Sequence, residues 1–319
     1  MSELRASLGR LALENPVLVA SGTFGYGIEF QDAVPIRELG GIMTKTITLQ
    51  PRMGNPPPRL IETPAGMLNS VGLQNVGLDV FVREKLPAVA TLGVPIIVSV
   101  LGESIEEIET LCSRLSGEQT VSAIELNLSC PNLHSSSRPT SHVSCPIPSI
   151  VAQDPEATFA MVAAARRKTD KMLIAKLSPD VTDVTLIAQA AERAGAEALS
   201  VGNTFIGMSL DPAARRSRLG SPTGGLSGPA IRPLAVYRVW RVRQAVKCPI
   251  IGVGGIRRAE DVLEFLLAGA SAVAVGTASF ADPSIAVKIL RSLPRAMAKY
   301  HVDSLQQLVG TLQTEPGSA

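Results

Sequence analysis

The sequence is poor in aromatic residues, histidine and cysteine. Aromatic side chains make up 3% of its 319 residues, and there are three histidines and four cysteines. Few stacking platforms and a net charge of only +2 give no basis for expecting nucleic-acid binding. With His134, His142 and His301 as the complete set, neither a histidine-based triad nor a multi-histidine metal site is convincing.

The four cysteines form no CxxC pair. Cys112, Cys130, Cys145 and Cys248 are spaced too widely for a zinc knuckle or an iron–sulfur cluster within this chain, and nothing suggests a disulfide framework. The N-terminus lacks a charged-then-apolar signal pattern, and no apolar run reaches membrane-spanning length. The sequence therefore predicts a soluble cytoplasmic protein with no membrane partner.

What the sequence does contain is eight short apolar runs separated by helical patterns. Strands buried on both faces read as continuous apolar runs without alternation. The predicted strands are residues 16–20, 41–44, 95–98, 124–128, 173–175, 198–201, 249–253 and 272–275. The predicted helices are residues 104–116, 154–168, 182–194, 229–246 and 258–268, with Ser104 and Asp154 as plausible N-caps.

Repeated strand–helix units predict an α/β fold with a parallel sheet, and eight of them predict a (β/α)8 TIM barrel. A doubly wound sheet would also fit the alternation. The barrel is favoured because polar residues follow nearly every strand, whereas in a doubly wound sheet they would gather at one switch point. Residues 4–14 predict a small N-terminal β-hairpin, and residues 47–77 and 133–153 are long insertions after strands 2 and 4. We expect one domain over residues 1–319, with a mobile tail from about residue 304.

Polar residues and glycines gather at the predicted strand ends, which in a barrel open onto one face. They are Ser21, Lys45, Thr46, Ser99, Asn127, Cys130, Asn132, Lys176, Asn203, Thr204, Gly254, Gly255, Gly276 and Thr277. Glycine turns that lead into helices can hold a phosphate through backbone N–H groups. Ordinary turn glycines are the alternative, and the position after the last two strands favours the phosphate.

Lys45 and Lys176 each end a buried strand. A buried lysine must find an anion or lose its charge. Two of them at one barrel mouth indicate an electron-rich, anionic ligand such as a reduced flavin or a carboxylate. The alternative is an internal ion pair with a barrel acid such as Glu125.

Cys130 is the candidate base. A lone cysteine is ordinarily a small buried hydrophobe, and Cys112 and Cys248 are predicted to be that. Cys130 differs because it follows a strand, precedes Pro131 and stands between Asn127 and Asn132. A thiol whose pKa is lowered toward neutrality can accept a proton. Cys145, in the Ser/Pro-rich loop, is undecided.

Four motifs together resemble class 1 dihydroorotate dehydrogenases. They are Asn127-Leu128-Ser129-Cys130-Pro131-Asn132, Lys45-Thr46, Asn69-Ser70-Val71-Gly72-Leu73 and Gly224-Gly225-Leu226-Ser227-Gly228-Pro229. The resemblance spans about residues 4–295. Residues 51–56 and 203–208 look most like class 1B, the type that works with an electron-transfer partner.

The resemblance implies an FMN-binding barrel that oxidises (S)-dihydroorotate to orotate in pyrimidine synthesis. Cys130 would take a proton from C5 while hydride passes from C6 to the flavin, with Lys45 also catalytic. The implied substrate contacts are Lys45, Asn69, Ser70, Val71, Gly72, Leu73, Asn127, Asn132, Asn203 and Thr204. The implied flavin contacts are Ser21, Lys45, Thr46, Ser99, Asn127, Lys176, Gly202, Gly228, Gly254, Gly255, Gly276 and Thr277.

Three departures from the family pattern affect the flavin site and the loop beside it. Ser99 stands where the family usually has asparagine, so its flavin contact is expected to be shorter or water-bridged. Gly202 replaces a usual aliphatic residue, which is expected to loosen packing near the ring. The loop over residues 133–153 is longer than usual and is expected to cover the thiol.

Class 1B further implies a homodimer of catalytic subunits joined to a partner subunit that carries FAD and an iron–sulfur cluster and passes electrons to NAD+. The absence of an N-terminal helical extension, and cysteine rather than serine as base, argue against the membrane-bound, quinone-linked class. The alternatives are an FMN dihydropyrimidine dehydrogenase, a class 1A enzyme using fumarate, a non-catalytic flavoprotein subunit, and a flavin-free barrel binding a sugar phosphate.

Overall fold

Eight parallel strands close into a barrel in the computed structural model, which describes residues 4–129 and 150–314. The strands are β1 (Ala6–Leu8), β2 (Leu11–Leu13), β3 (Val17–Val19), β4 (Gly41–Met43), β5 (Leu60–Thr63), β6 (Gly66–Asn69), β7 (Ile96–Val100), β8 (Val121–Asn127), β9 (Met172–Leu177), β10 (Ala198–Val201), β11 (Phe205–Gly207), β12 (Leu210–Asp211), β13 (Arg216–Ser217), β14 (Gly224–Ser227), β15 (Ile250–Val253) and β16 (Ala272–Val275). The barrel order is β3-β4-β7-β8-β9-β10-β15-β16, closing on β3. All eight predicted strands are present, so the TIM barrel is confirmed.

Helices follow most of the barrel strands. They are α1 (Leu78–Val80), α2 (Leu86–Val89), α3 (Ile105–Ser116), α4 (Pro155–Lys168), α5 (Val184–Arg193), α6 (Arg232–Arg243), α7 (Ala259–Ala268), α8 (Ala278–Ala281), α9 (Ile285–Lys299) and α10 (Leu305–Leu308). A π-helical segment, Phe81–Lys85, joins α1 to α2. Between β3 and β4 the chain forms the 3-10 turns Ile28–Phe30 and Ile36–Glu38 in place of a full α-helix.

The two predicted caps begin their helices as expected. The Ser104 hydroxyl accepts a hydrogen bond from the Glu107 N–H at 3.3 Å. The Asp154 carboxylate accepts from the Glu156 and Ala157 N–H groups at 2.8 and 3.3 Å. Each cap satisfies backbone donors that a first helical turn leaves without partners. These contacts fix where α3 and α4 start, and so how β8 and β9 enter the barrel.

The core has two layers because successive side chains on a strand point to opposite faces. Outward residues such as Val98 and Ile124 pack under the helices. Inward residues such as Ile97, Ala123 and Ile174 fill the barrel. The predicted N-terminal hairpin, β1–β2, contributes Leu8 and Leu13 to this inner layer. The barrel interior is therefore filled with side chains, most of them apolar, and Glu125 and Ser200 are fully buried polar exceptions.

A second sheet, which the sequence did not predict, lies beside the barrel. The insertion after the second barrel strand supplies β5 and β6, and an insertion after the sixth supplies β11 and β14, in the antiparallel order β11-β14-β6-β5. Asn69 pairs with Gly225 in this sheet. The long insertion after strand 2 is thus confirmed but is half strand, and a third insertion, after strand 6, was missed. The one over residues 133–153 lies almost wholly outside the described residues.

The described part of the predicted tail packs on the barrel's helices. Leu305 is buried, and the Gly310 N–H donates to the Leu266 carbonyl at 2.9 Å. None of the described helices is long and apolar enough to cross a membrane.

Gly202 does not loosen the packing, contrary to the expectation from sequence. It has φ +125°, and a Cβ at this position would lie 2.0 Å from the carbonyl oxygen of Val253 on the adjacent strand β15. Both the backbone angle and the close approach of the two strand ends require glycine here. The residue therefore tightens the rim.

Replacing Gly202 with alanine should lower the free energy of unfolding by at least about 2 kcal/mol, because the new methyl group meets a backbone carbonyl at a disfavoured φ. Equilibrium urea denaturation measures the change. Gly117→Ala is the matched control, since Gly117 has φ −74° and nothing lies within 4 Å of its Cβ position. A Gly202→Ala protein as stable as the wild type would contradict this close packing.

Candidate functional site

A cavity opens at the carboxyl ends of the barrel strands, where the fold predicts an active site. It encloses about 1190 Å³, open solvent at its mouth included. Strand ends form its floor, and the second sheet contributes Met67, Asn69 and Ser227 to its wall. The two insertions are therefore part of the site.

Most of the predicted site residues line this one cavity. They are Ser21, Lys45, Thr46, Asn69, Val71, Gly72, Leu73, Asn127, Lys176, Asn203, Thr204, Gly228, Gly254, Gly255, Gly276 and Thr277. These come from seven of the eight barrel strand ends and from both insertions. Their convergence could not be read from any one segment.

Three predicted residues do not line the cavity, and two more lie outside the described residues. Ser99 is fully buried, and its hydroxyl lies 3.0 Å from that of Thr46, so it stands behind Thr46. Ser70 is fully buried, and Gly202 lies beneath the rim against Val253. Cys130 and Asn132 fall in the range that the structure leaves undescribed.

Sequence reasoning missed nine cavity-lining residues. They are Ala20, Gly22, Thr23, Leu60, Met67, Ser227, Ile231, Val253 and Phe280. Ala20, Gly22 and Thr23 flank the predicted Ser21, so the strand-end rule could have included them. Leu60 and Met67 lie on the local hairpin of β5 and β6, whereas Ser227 reaches the cavity through the pairing of β14 with β6, which joins distant segments and has no local signal.

The two lysines lie at the cavity without an ion-pair partner among the described residues. Lys176 is 5% exposed, and Lys45 is half-buried. Glu125 is fully buried, and its carboxylate accepts no hydrogen bond from the described chain. The internal ion pair with Glu125 is therefore not formed. An anion in the cavity would face the side-chain amino groups of both lysines.

Burial sets the electrostatics of Lys45. Desolvation lowers the pKa of its ammonium from the usual lysine value, Glu29 opposes the shift, and Arg59 adds to it. Burial disfavours the charged form because the ammonium loses water. A bound carboxylate or an electron-rich ring would replace the lost solvation and restore the charge. The site thus favours an anionic ligand.

Hydroxyl and amide groups link neighbouring strand ends along the cavity floor. The Asn127 amide donates to the Thr46 hydroxyl at 3.1 Å, and the Ser21 hydroxyl lies 3.5 Å from that same oxygen. Asn127 ends β8 and pairs with Lys176 on β9. Buried polar groups that partner one another in this way are held in place. The floor can therefore present a fixed pattern of donors and acceptors to a flat polar molecule.

The glycine turns at the last two strands form an anion cradle. The backbone N–H groups of Gly255, Gly276 and Thr277 donate to no other described residue. Gly255 has φ +72°, and a Cβ there would lie 2.8 Å from the Gly228 carbonyl. Free N–H groups beside tightly packed glycines suit a phosphate. The residues present fit the phosphate of a mononucleotide cofactor.

Metal binding has no support in the part of the chain that the structure describes. No group of three or more His, Cys, Asp or Glu side chains lies close enough there to hold an ion. Cys112 and Cys248, predicted to be inert, are buried or partly buried, and burial raises the pKa of each thiol to about 12. Neither has the lowered pKa of a reactive thiolate.

Comparison with known proteins gives a single family. A family model described as dihydroorotate dehydrogenase matches residues 3–297. Catalytic subunits of dihydroorotate dehydrogenase B (NAD(+)) from a Geobacter species and from Geotalea daltonii are 45% and 47% identical over 311 residues, covering 98% of this chain and 98% of each relative. A crystal structure of DHODH from Eimeria tenella in complex with ferulenol has a TM-score of 0.78 at 23% identity, covering 98% of this chain and 89% of that one. The last likeness concerns the fold alone.

Proposed function

The chain belongs to the dihydroorotate dehydrogenase family, and on that premise we propose that it is the catalytic subunit of an NAD+-linked dihydroorotate dehydrogenase. The reaction oxidises (S)-dihydroorotate to orotate, a step of pyrimidine synthesis. The observation that carries the proposal is the joint presence, in one cavity, of two lysines, several amides and an anion cradle. These groups match a ring with a carboxylate and an imide, lying against a phosphate-bearing cofactor.

FMN is the cofactor that this site suits. The glycine turns with free N–H groups would hold its phosphate, and Lys176, buried beside Asn127, would lie near the ring. Ser21, Thr46, Gly228 and Thr277 would complete the contacts. When bound, FMN supplies a two-electron acceptor for the hydride that leaves C6 of the substrate. A positive charge on Lys176 would favour the reduced, more electron-rich form of the flavin ring.

The substrate would be held by charge at one end and by amides at the other. Lys45 would pair with the carboxylate, which replaces the water that burial removed from its ammonium. Asn69, Asn127, Asn203 and Thr204 would hydrogen-bond the ring. Val71, Gly72 and Leu73 line the cavity beside Asn69 and would close over the ring edge. Ser70, Ser99 and Gly202 do not line the cavity and would act by supporting the residues that do. Asn132 remains a predicted substrate contact.

Cys130 is the proposed base. Its thiolate would take the proton from C5, and the C5–C6 double bond of orotate forms as the C6 hydrogen leaves with its electron pair. The preceding residue, Ser129, is 1% exposed, and its N–H donates a hydrogen bond to the Asn127 amide oxygen. The described chain is therefore anchored beside Asn127, which lines the cavity.

Cys130→Ala should retain FMN but lose most of the bleaching of the flavin by dihydroorotate at neutral pH, by about 100-fold or more in rate, because general-base catalysis is lost. Anaerobic stopped-flow absorbance measures the rate. Cys248→Ala is the matched control, as its thiol takes no part in the cavity. Unchanged bleaching by Cys130→Ala would remove Cys130 from the mechanism.

A partner subunit would carry the electrons to NAD+. The relatives are named catalytic subunits of an NAD(+)-linked enzyme, which supports a second subunit. We propose that this subunit holds FAD and an iron–sulfur cluster, and that two catalytic chains form a homodimer within a heterotetramer. A cytoplasmic location is part of the same proposal.

The isolated chain should pass electrons from dihydroorotate to an artificial dye but leave NAD+ unreduced until the partner subunit is added. The reason is that NAD+ reduction is assigned to cofactors on that subunit. Absorbance at the NADH band follows the reaction, with the dye assay as the positive control. Direct NAD+ reduction by the lone chain would refute the division between subunits.

A further inference from the structure

The hydroxyl group of Ser129 joins two asparagines that line the cavity from different strand ends. Asn203 donates through its amide nitrogen to the Ser129 hydroxyl at 2.7 Å and to the Ser129 carbonyl at 3.2 Å. The Ser129 hydroxyl donates to the Asn127 amide oxygen at 3.3 Å, and the Ser129 N–H donates to the same oxygen at 3.4 Å. Ser129 itself does not line the cavity and is 1% exposed.

This arrangement fixes which way each amide points. A hydroxyl has one proton to donate and lone pairs to accept. The Ser129 N–H can only donate, so Asn127 turns its oxygen toward Ser129, where it also accepts from the hydroxyl. The Ser129 carbonyl can only accept, so Asn203 turns its nitrogen toward Ser129, where it also donates to the hydroxyl. A flip of either amide would set two donors or two acceptors face to face.

The remaining bonding capacity of the two amides then differs. The Asn127 oxygen accepts from Ser129, and one N–H of its amide donates to the Thr46 hydroxyl at 3.1 Å. Its second N–H donates to no described residue in these contacts and can donate to a ligand. Asn203 accepts the Thr204 N–H at 2.8 Å and keeps a second lone pair on that oxygen. The cavity therefore shows a donor at Asn127 and an acceptor at Asn203.

We propose that Ser129 is a positioning residue that orients Asn127 and Asn203, and so selects a ligand that offers a carbonyl to Asn127 and a ring N–H to Asn203. A carbonyl beside an N–H is the edge of a cyclic imide or ureide. The inference rests on the proposed function, which makes dihydroorotate that ligand. The inference adds to that function Ser129, a residue that does not line the cavity and would affect binding only by orienting the two asparagines.

The test measures orotate binding to the FMN-loaded protein from the change in the flavin absorbance spectrum. Ser129→Ala should weaken orotate roughly tenfold, since each amide then loses its bond to the hydroxyl and is held at Ser129 only by the backbone bonds of 3.4 and 3.2 Å. Ser200→Ala is the matched control, because the Ser200 hydroxyl is fully buried in the same barrel and bonds to no described residue. This control should bind orotate like the wild type.

A double-mutant cycle separates positioning from general stabilisation. If Ser129 acts through the two asparagines, Ser129→Ala should cost less orotate affinity in the Asn127→Ala background than in the wild type, and none in the Asn127→Ala/Asn203→Ala background. Additive losses would overturn the proposal, as would Ser129→Ala binding like Ser200→Ala. Loss of FMN from Ser129→Ala would also overturn it, because Ser129 would then serve the fold.

The wild-type titration keeps this inference distinct from the proposed function. No response of the wild-type flavin to orotate would overturn the proposed function and the inference with it. A wild-type response with an unchanged Ser129→Ala protein would overturn the inference alone.

Discussion

Closure of the parallel barrel is the constraint on which the rest of the structure depends. Eight strands that run in one direction place all their carboxyl ends on one rim, and the inner layer below is mostly apolar, so most polar groups gather at the rim. Lys45, Asn127, Lys176 and Asn203 are far apart in sequence, yet they line one cavity. The close contact of Gly202 with Val253 belongs to the same constraint, because two strands can approach so nearly only without a side chain between them.

The second sheet forms a part of the cavity wall that the barrel strands do not supply. Its central strands β6 and β14 come from insertions on different sides of the barrel, and the Asn69 amide donates to the Gly225 carbonyl at 3.2 Å across that pairing. The start of the proposed substrate-contact segment, Asn69, is thereby held by strand pairing and by this side-chain hydrogen bond rather than lying on a free loop. Sites on rigid elements keep reacting groups in position more closely than sites on free loops.

Local signals allowed much of the fold and of the site to be predicted. The caps Ser104 and Asp154 are short-range patterns, and both occur as expected. The strand-end rule found the lysines and the glycine turns. The central pairing of the second sheet, β6 with β14, was missed because it joins residues 156 positions apart, as between Asn69 and Gly225. The hairpin of β5 and β6 is local and was missed as well. Ser129 stands within a quoted motif, but its role depends on the direction of two amides, which no sequence pattern records.

The central claim is that this cavity recognises a pyrimidine ring by its carboxylate and its imide together. In this proposal Lys45, whose ammonium is partly desolvated, would supply the first interaction, and the oriented amides would supply the second. Anaerobic titration of the FMN-loaded protein with dihydroorotate and with dihydrouracil, side by side, tests both at once, since dihydrouracil has the ring but no carboxylate. The account predicts that dihydroorotate bleaches the flavin at stoichiometric concentration while dihydrouracil leaves it oxidised. Equal or stronger bleaching by dihydrouracil would contradict it.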